Sequence, residues 1–152
     1  MEHIVIIGNG ISGVTLARNI RKLSDKKITL VSSETEYFFS RTALMYVFMG
    51  HIKFEHTQPY ENNFWKNNNI NLIYNHVIDV NTDEKKVIFK DNSSLNFDKL
   101  VIASGSKSNR FGWKGQDLYG VFSLYNKPDL DKLDELAIGC KRAVVVGGGY
   151  RY

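Results

Sequence analysis

The segment Ile4-Val5-Ile6-Ile7-Gly8-Asn9-Gly10-Ile11-Ser12-Gly13 constrains the fold more than any other part of the chain. Four consecutive apolar, β-branched residues read as a strand buried on both faces, which is the habit of parallel sheets. Gly8, Gly10 and Gly13 follow at G-x-G-x-x-G spacing. In such a turn the first glycine permits the sharp bend, and the second lets the backbone come close to a pyrophosphate. The third brings the next helix near the strand. Free amides and the positive end of the helix dipole at that terminus suit phosphate. A dinucleotide is therefore expected at Gly8, Gly10, Ile11, Ser12 and Gly13.

The neighbouring residues supply the context that the motif needs. Leu16, Ala17, Ile20 and Leu23 recur at helical spacing, with Arg18, Arg21 and Lys22 opposite them. Residues 28–31 form a second apolar strand after a polar turn, which completes a βαβ unit of about 30 residues. Glu34 then lies about 20 residues beyond the glycines, where an acid commonly bonds an adenosine ribose. Two readings of Glu34 stay open, a ribose acceptor and a solvated loop acid, because Ser32 and Ser33 sit nearer the strand end.

Residues 37–50 are rich in aromatic and apolar side chains, and 43–47 suit a short helix packed mostly into the core. Arg41 interrupts this stretch and requires an anion or a carboxylate as partner. Pro59 is expected to open a short helix carrying Phe64 and Trp65, and residues 70–74 read as a strand. His51 and His56 lack metal-ligand company and read as solvated loop residues. Three short strand-like runs follow at 77–80, 87–89 and 95–97, separated by polar turns, and form a β-meander. Residues 100–103 return to a buried strand that ends in Ser104-Gly105-Ser106. Further on, 120–124 reads as an edge strand and 128–137 as a helix with Leu130, Leu133, Leu136 and Ala137 on one face. Residues 143–146 read as a buried strand running into Gly147-Gly148-Gly149.

These features in this order resemble the N-terminal part of the two-dinucleotide flavoprotein fold, the group of pyridine nucleotide-disulfide reductases, ferredoxin and rubredoxin reductases, NADH-nitrite reductase flavin domains and NADH oxidases. The fold class implied is α/β, a Rossmann-like FAD-binding domain of parallel sheet plus β-meander, truncated at the start of the NAD(P)-binding domain. The expected division is 1–125 for the FAD-binding segment and 126–152 for the incomplete second domain. The resemblance implies that the first glycine turn binds FAD, with Glu34 near its adenosine ribose. Ala103-Ser104-Gly105 resembles the family's Ala-Thr-Gly strand end beside the flavin, serine keeping the hydroxyl. Arg41 and Thr42 match a loop that approaches FAD in the ferredoxin-reductase-like branch. Val77 resembles a position whose backbone meets the adenine. Gly147 and Gly149 resemble the start of an NAD(P)H-binding turn.

The departures from the family pattern limit the chemistry. The loop after the second strand carries Arg41-Thr42-Ala43-Leu44 and no cysteine, so a dithiol relay or thiolate chemistry is not expected there. The lysine that ferredoxin reductases carry near Met45 or Tyr46 is missing as well. Cys140, the single cysteine, excludes a disulfide framework and reads as a packed structural thiol. No residue stands out as an acid or base.

Two functional readings follow. The first is the N-terminal part of an FAD-dependent NAD(P)H oxidoreductase, incomplete for catalysis alone, with NAD(P)H bound only when the missing segment is supplied. The second is a non-catalytic nucleotide-binding remnant or interaction module. The net charge of +4 arises from scattered basic residues, which argues against a nucleic-acid partner. No apolar run reaches membrane-span length, and a cytoplasmic location is expected. The sequence does not identify the electron acceptor.

Overall fold

The computed structural model describes residues 1–147. Its centre is a four-stranded parallel sheet in the order β3-β2-β1-β7, formed by β1 (His3–Ile7), β2 (Lys27–Ser32), β3 (Ile70–Tyr74) and β7 (Lys99–Ile102). Helix α1 (Ile11–Leu23) crosses from β1 to β2. The β2 to β3 connection carries a 3-10 turn at Arg41–Ala43, then α2 (Leu44–Phe48) and α3 (Asn62–Asn67). A separate antiparallel sheet of β4 (Val77–Asn81), β5 (Lys86–Phe89) and β6 (Ser94–Asn96) forms the expected meander between β3 and β7.

The strands are mostly apolar because both faces of the central sheet are covered. Alternate residues of a strand point to opposite faces. Ile4, Ile6, Ile28 and Leu30 pack with Val14 and Ala17 of α1, and with Phe38, Trp65 and Ile70. Their neighbours Val5 and Val31 point the other way and meet Val87 and Phe89 of the meander. The polar exceptions on that second face satisfy each other: His3 Nε2 lies 2.9 Å from Thr29 Oγ1.

The order of the strands creates a topological switch point. The chain lays β2 and then β3 on one side of β1, and returns through the meander to place β7 on the other. The reversal falls between β1 and β7, and in open α/β sheets ligands bind outside the carboxyl ends of the strands at such a point. Helix α4 (Lys127–Ala137) lies beyond β7 in sequence and packs on α2, its buried Leu130 clustering with Phe39 and Leu44.

Several expectations fail here. Residues 43–47 form the expected short helix, yet Met45, Tyr46, Phe48 and Met49 are exposed, because one face of so short a helix suffices to seat Leu44. The third helix opens at Asn62 with Glu61 as its N-cap residue, so Pro59 lies outside it. Residues 120–124 are not a strand: 121–123 have no regular structure, between a turn at Gly120 and a bend at Leu124. Residues 143–146 are not a strand, and Val144, Val145 and Val146 are 88%, 82% and 66% exposed. A β-branched run becomes a strand only when a neighbour accepts its backbone hydrogen bonds. Cys140 is an exposed free thiol whose Sγ donates to the Arg142 carbonyl at 3.0 Å, so it does not pack as expected. Of the final glycine run only Gly147 is described, and Gly148 and Gly149 lie outside the described residues.

Candidate functional site

The glycine turn is built between three strand ends. The Gly8 amide donates to the Val31 carbonyl of β2 at 2.7 Å, and the Ala103 amide donates to the Ile7 carbonyl at the same distance. Gly8 has φ +110°, and a Cβ there would lie 2.1 Å from the Ala103 carbonyl oxygen. Only glycine meets both demands, the left-sided backbone and the contact with β7. A Cβ on Gly13 would lie 2.0 Å from the Gly8 carbonyl oxygen, so that glycine sets how closely α1 approaches the strand. Gly10 differs. Its φ of −70° is ordinary, and a Cβ there would meet nothing within 4 Å.

Gly10 is also the N-cap residue of α1, where no side chain caps the helix and no acid stands in the first turn. The first amides of a helix have no partner within it. Ile11 and Ser12 are exposed there, and Gly13 is buried. The turn thus presents amides, a helix dipole and open space together, a combination that suits an anion such as a pyrophosphate.

Glu34 and Arg41 come together beside this turn. Arg41 Nη2 donates to Glu34 Oε2 at 2.6 Å, and Nη1 donates to Glu34 Oε1 at 3.1 Å. The Glu34 and Arg41 side chains are 23% and 33% exposed, so the pair is shielded but still reachable from solvent. Arg41 therefore has the carboxylate that its apolar setting requires. Its guanidinium also lies over the rings of Phe39 and Tyr125, at 5.3 and 4.7 Å from their centroids. Glu34 Oε1 accepts a further bond from the Lys127 amide at the start of α4, at 2.9 Å. These contacts make Glu34 the half-buried partner of an ion pair. Among the described residues Oε2 accepts one bond, from Arg41, and a carboxylate oxygen can accept more than one.

The remaining candidates are placed as follows. Thr42 is exposed, with its hydroxyl 3.2 Å from that of Ser40. Ala103, Ser104 and Gly105 continue from β7 past the carboxyl end of the sheet, Gly105 at φ +73°. Val77 opens β4 and packs against the meander cluster. It stands just beyond Asn75, whose amide bonds the Ser32 carbonyl at 2.9 Å, so it follows the same strand-end edge. No hydrogen bond among the described residues ties Val77 to the glycine turn.

Three contributors escaped the sequence reading. Asn9 is buried, and its Nδ2 donates to the Thr35 carbonyl at 2.9 Å, which staples the glycine turn to the loop that carries Glu34. Tyr125 offers its carbonyl to Arg41 Nη1 at 2.8 Å and sets its hydroxyl 3.0 Å from Ser106 Oγ. The Lys127 amide reaches Glu34 across 93 residues of sequence. An asparagine between two glycines is the one local sign that Asn9 gave. The other two contacts are long-range and leave no pattern in the sequence.

The sequence profile of the pyridine nucleotide-disulphide oxidoreductase family matches residues 2–151. The chain belongs to that family. It is 34% identical to an NADH oxidase of Methanocaldococcus jannaschii, over 95% of this chain and 35% of that protein. It is 31% identical to a rubredoxin-NAD(+) reductase of Pseudomonas putida, over 96% of this chain and 39% of the relative. Among solved structures, NADH:rubredoxin oxidoreductase from Clostridium acetobutylicum superposes with a TM-score of 0.83 at 26% identity, covering 97% of this chain and 38% of the other. The chain thus spans between 35% and 39% of the length of these family members. Their shared fold agrees with the parallel sheet and meander described above.

Proposed function

We propose that this chain is the FAD-binding part of an NAD(P)H oxidoreductase, with the dinucleotide laid over the carboxyl ends of β1 and β7. One observation carries the reading. Gly8 and Gly13 are required by the protein's own packing, whereas among the described residues no atom lies within 4 Å of a Cβ placed at position 10. A position kept bare above open space, at an uncapped helix terminus, fits the close approach of a phosphate.

The roles of the residues follow from their positions. The amides at Gly10, Ile11, Ser12 and Gly13 bind the pyrophosphate. Glu34 Oε2 accepts from the adenosine ribose, and Arg41 holds that carboxylate in place. Val77 borders the adenine, with Thr42 on the approach to the site, and Ala103-Ser104-Gly105 lines the flavin side. When bound, FAD would accept a hydride equivalent from NAD(P)H and pass electrons to an acceptor; the protein supplies orientation and a shielded electrostatic setting. Cys140 is exposed, and no role in the site is assigned to it. Residues 126–152 are proposed as the start of a second dinucleotide-binding unit. Among the described residues no helix is long and apolar enough to cross a membrane, and a cytoplasmic location is part of the same proposal.

A second reading is nucleotide binding without hydride transfer. A visible spectrum of the purified chain with FAD, before and after NADH, separates the two. A bound flavin that NADH bleaches supports the oxidoreductase reading for this chain by itself. A bound flavin that NADH leaves unchanged supports binding alone, with reduction depending on further sequence. Failure to bind FAD overturns both. Gly10→Ala is the control. It is expected to fold and to bind FAD at least about tenfold more weakly, the scale of one lost charge-assisted hydrogen bond.

A further inference from the structure

We propose that Tyr125 is a positioning residue for the nucleotide site, holding Arg41 so that Arg41 in turn aims the Glu34 carboxylate. This rests on the reading of Glu34 as the ribose acceptor. Tyr125 makes three separate contacts. Its carbonyl accepts from Arg41 Nη1 at 2.8 Å, on the same nitrogen that bonds Glu34 Oε1. Its ring lies under the guanidinium, 4.7 Å from centroid to Cζ. Its hydroxyl lies 3.0 Å from Ser106 Oγ, in the segment that leads out of β7. The same residue therefore touches both the Glu34–Arg41 pair and the segment that leads out of β7.

Its own position is fixed from the other side. The Tyr125 amide donates to Asp129 Oδ2 at 2.8 Å, and Asp129 belongs to the capping box of α4. Helix α4 is seated by Leu130 against Phe39 and Leu44. Arg41 is thereby held between two rings, one from its own loop and one anchored by α4. A planar guanidinium has a forked donor geometry that works only in a fixed orientation. Without the Tyr125 ring, Arg41 retains Glu34, the main-chain carbonyl of residue 125 and the Phe39 ring, but loses the nearer of the two aromatic surfaces that set its plane. The Ser106 hydroxyl holds the Tyr125 phenol below its ordinary pKa, the Arg41 charge acts in the same direction, and burial opposes both.

The test uses the full chain with ADP and 2′,3′-dideoxy-ADP, which differ only in the hydroxyls that a carboxylate can accept from. Binding is read by calorimetry for wild type, Tyr125→Phe and Tyr125→Ala. Wild type is expected to prefer ADP by about tenfold, the scale of a hydrogen bond to a charged group. Tyr125→Ala is expected to bring that ratio close to one while its affinity for the dideoxy nucleotide stays unchanged. Tyr125→Phe keeps the ring over Arg41 and is expected to keep the preference. A Tyr125→Ala protein that loses affinity for both nucleotides equally, or that keeps the ratio, overturns the inference and leaves the nucleotide reading standing. If the alanine variant does not fold, the ratio is read in Tyr125→Leu, which fills the same space without an aromatic face. A wild-type chain that binds neither nucleotide, or binds both alike, overturns the ribose reading and the inference with it.

Discussion

Arg41 grips Glu34 with both terminal nitrogens, at 2.6 and 3.1 Å, and so joins the loop after β2 to the turn before α2. A forked pair of this kind is stronger than a single contact. Its setting is intermediate between surface and core. Exposed pairs contribute about 0.2–1 kcal/mol, and breaking a buried pair costs about 3–5 kcal/mol. Replacing Arg41 by methionine is therefore expected to destabilise the chain by about 1–2 kcal/mol in urea unfolding. Lysine at the same position keeps the charge but not the fork, and should recover less than half of that loss. Equal stability of Arg41→Met and wild type would show that the pair contributes nothing to folding.

The three glycines should separate under mutation. Gly8→Ala combines a φ of +110° with a 2.1 Å clash against the Ala103 carbonyl, and should cost about 3 kcal/mol or leave the chain unfolded. Gly13→Ala meets the Gly8 carbonyl at 2.0 Å and should behave alike. Gly10→Ala meets nothing and should stay within about 1 kcal/mol of wild type, the scale of a poorer cap. Thermal melts of the three proteins provide the comparison. A Gly10→Ala protein as damaged as Gly8→Ala would contradict the open space above that residue.

His3 predicts an acid-sensitive step. Burial, and then the charge of Lys27, lower its pKa from the ordinary 6.5, against the Asn96 carbonyl and Asp98, which raise it. The folded chain therefore holds that proton less readily than the unfolded chain. The stability that neutral His3 contributes is present above pH 6.5 and is lost as pH falls through the folded value. Denaturant midpoints should thus decline below pH 6.5 in wild type. His3→Gln, which keeps a donor for Thr29, should flatten that decline. Superimposable pH profiles would rule His3 out as the source.

Helix α4 depends on its cap. Asn126 Oδ1 accepts from the Asp129 amide at 2.7 Å, and Asp129 returns a bond to the Asn126 amide. Asn126→Ala should cost about 1 kcal/mol. Because the Lys127 amide that bonds Glu34 lies in the same turn, protection from hydrogen exchange should fall at Lys127 as well as within α4. A loss confined to α4 would mean that the Glu34 contact survives without the cap.

What was legible in the sequence divides along a physical line. The central strands were legible because burial on both faces leaves unbroken β-branched runs such as residues 4–7 and 28–31. The meander was legible because polar turns punctuate short apolar runs. That Arg41 needed a carboxylate was evident from its apolar surroundings, and Glu34 and Arg41 were both singled out, but their pairing was not, since the sequence does not say how a loop folds back. Tyr125 was invisible for a related reason. Its partner is 84 residues away. The run at 143–146 misled because propensity reports only how well a residue suits a strand, whereas a strand needs a neighbour. Cys140 misled in the same way, since thiols are usually buried and this one stands in an exposed turn.

The contact between Gly8 and Ala103 also bears on the order of assembly. The His3 amide donates to Asp98, 95 residues further along, and β7 runs from there to the wall of the glycine turn. On a ribosome the turn emerges well before its wall at Ala103. Until β7 arrives, the nascent chain carries β1 with one side open and with nothing opposite Gly8 to define its bend. Closing so long a loop is slow compared with forming the βαβ unit. A stalled chain that ends within the meander would therefore expose the apolar edge of β1 to chaperones, and would not yet have a finished pocket for any cofactor.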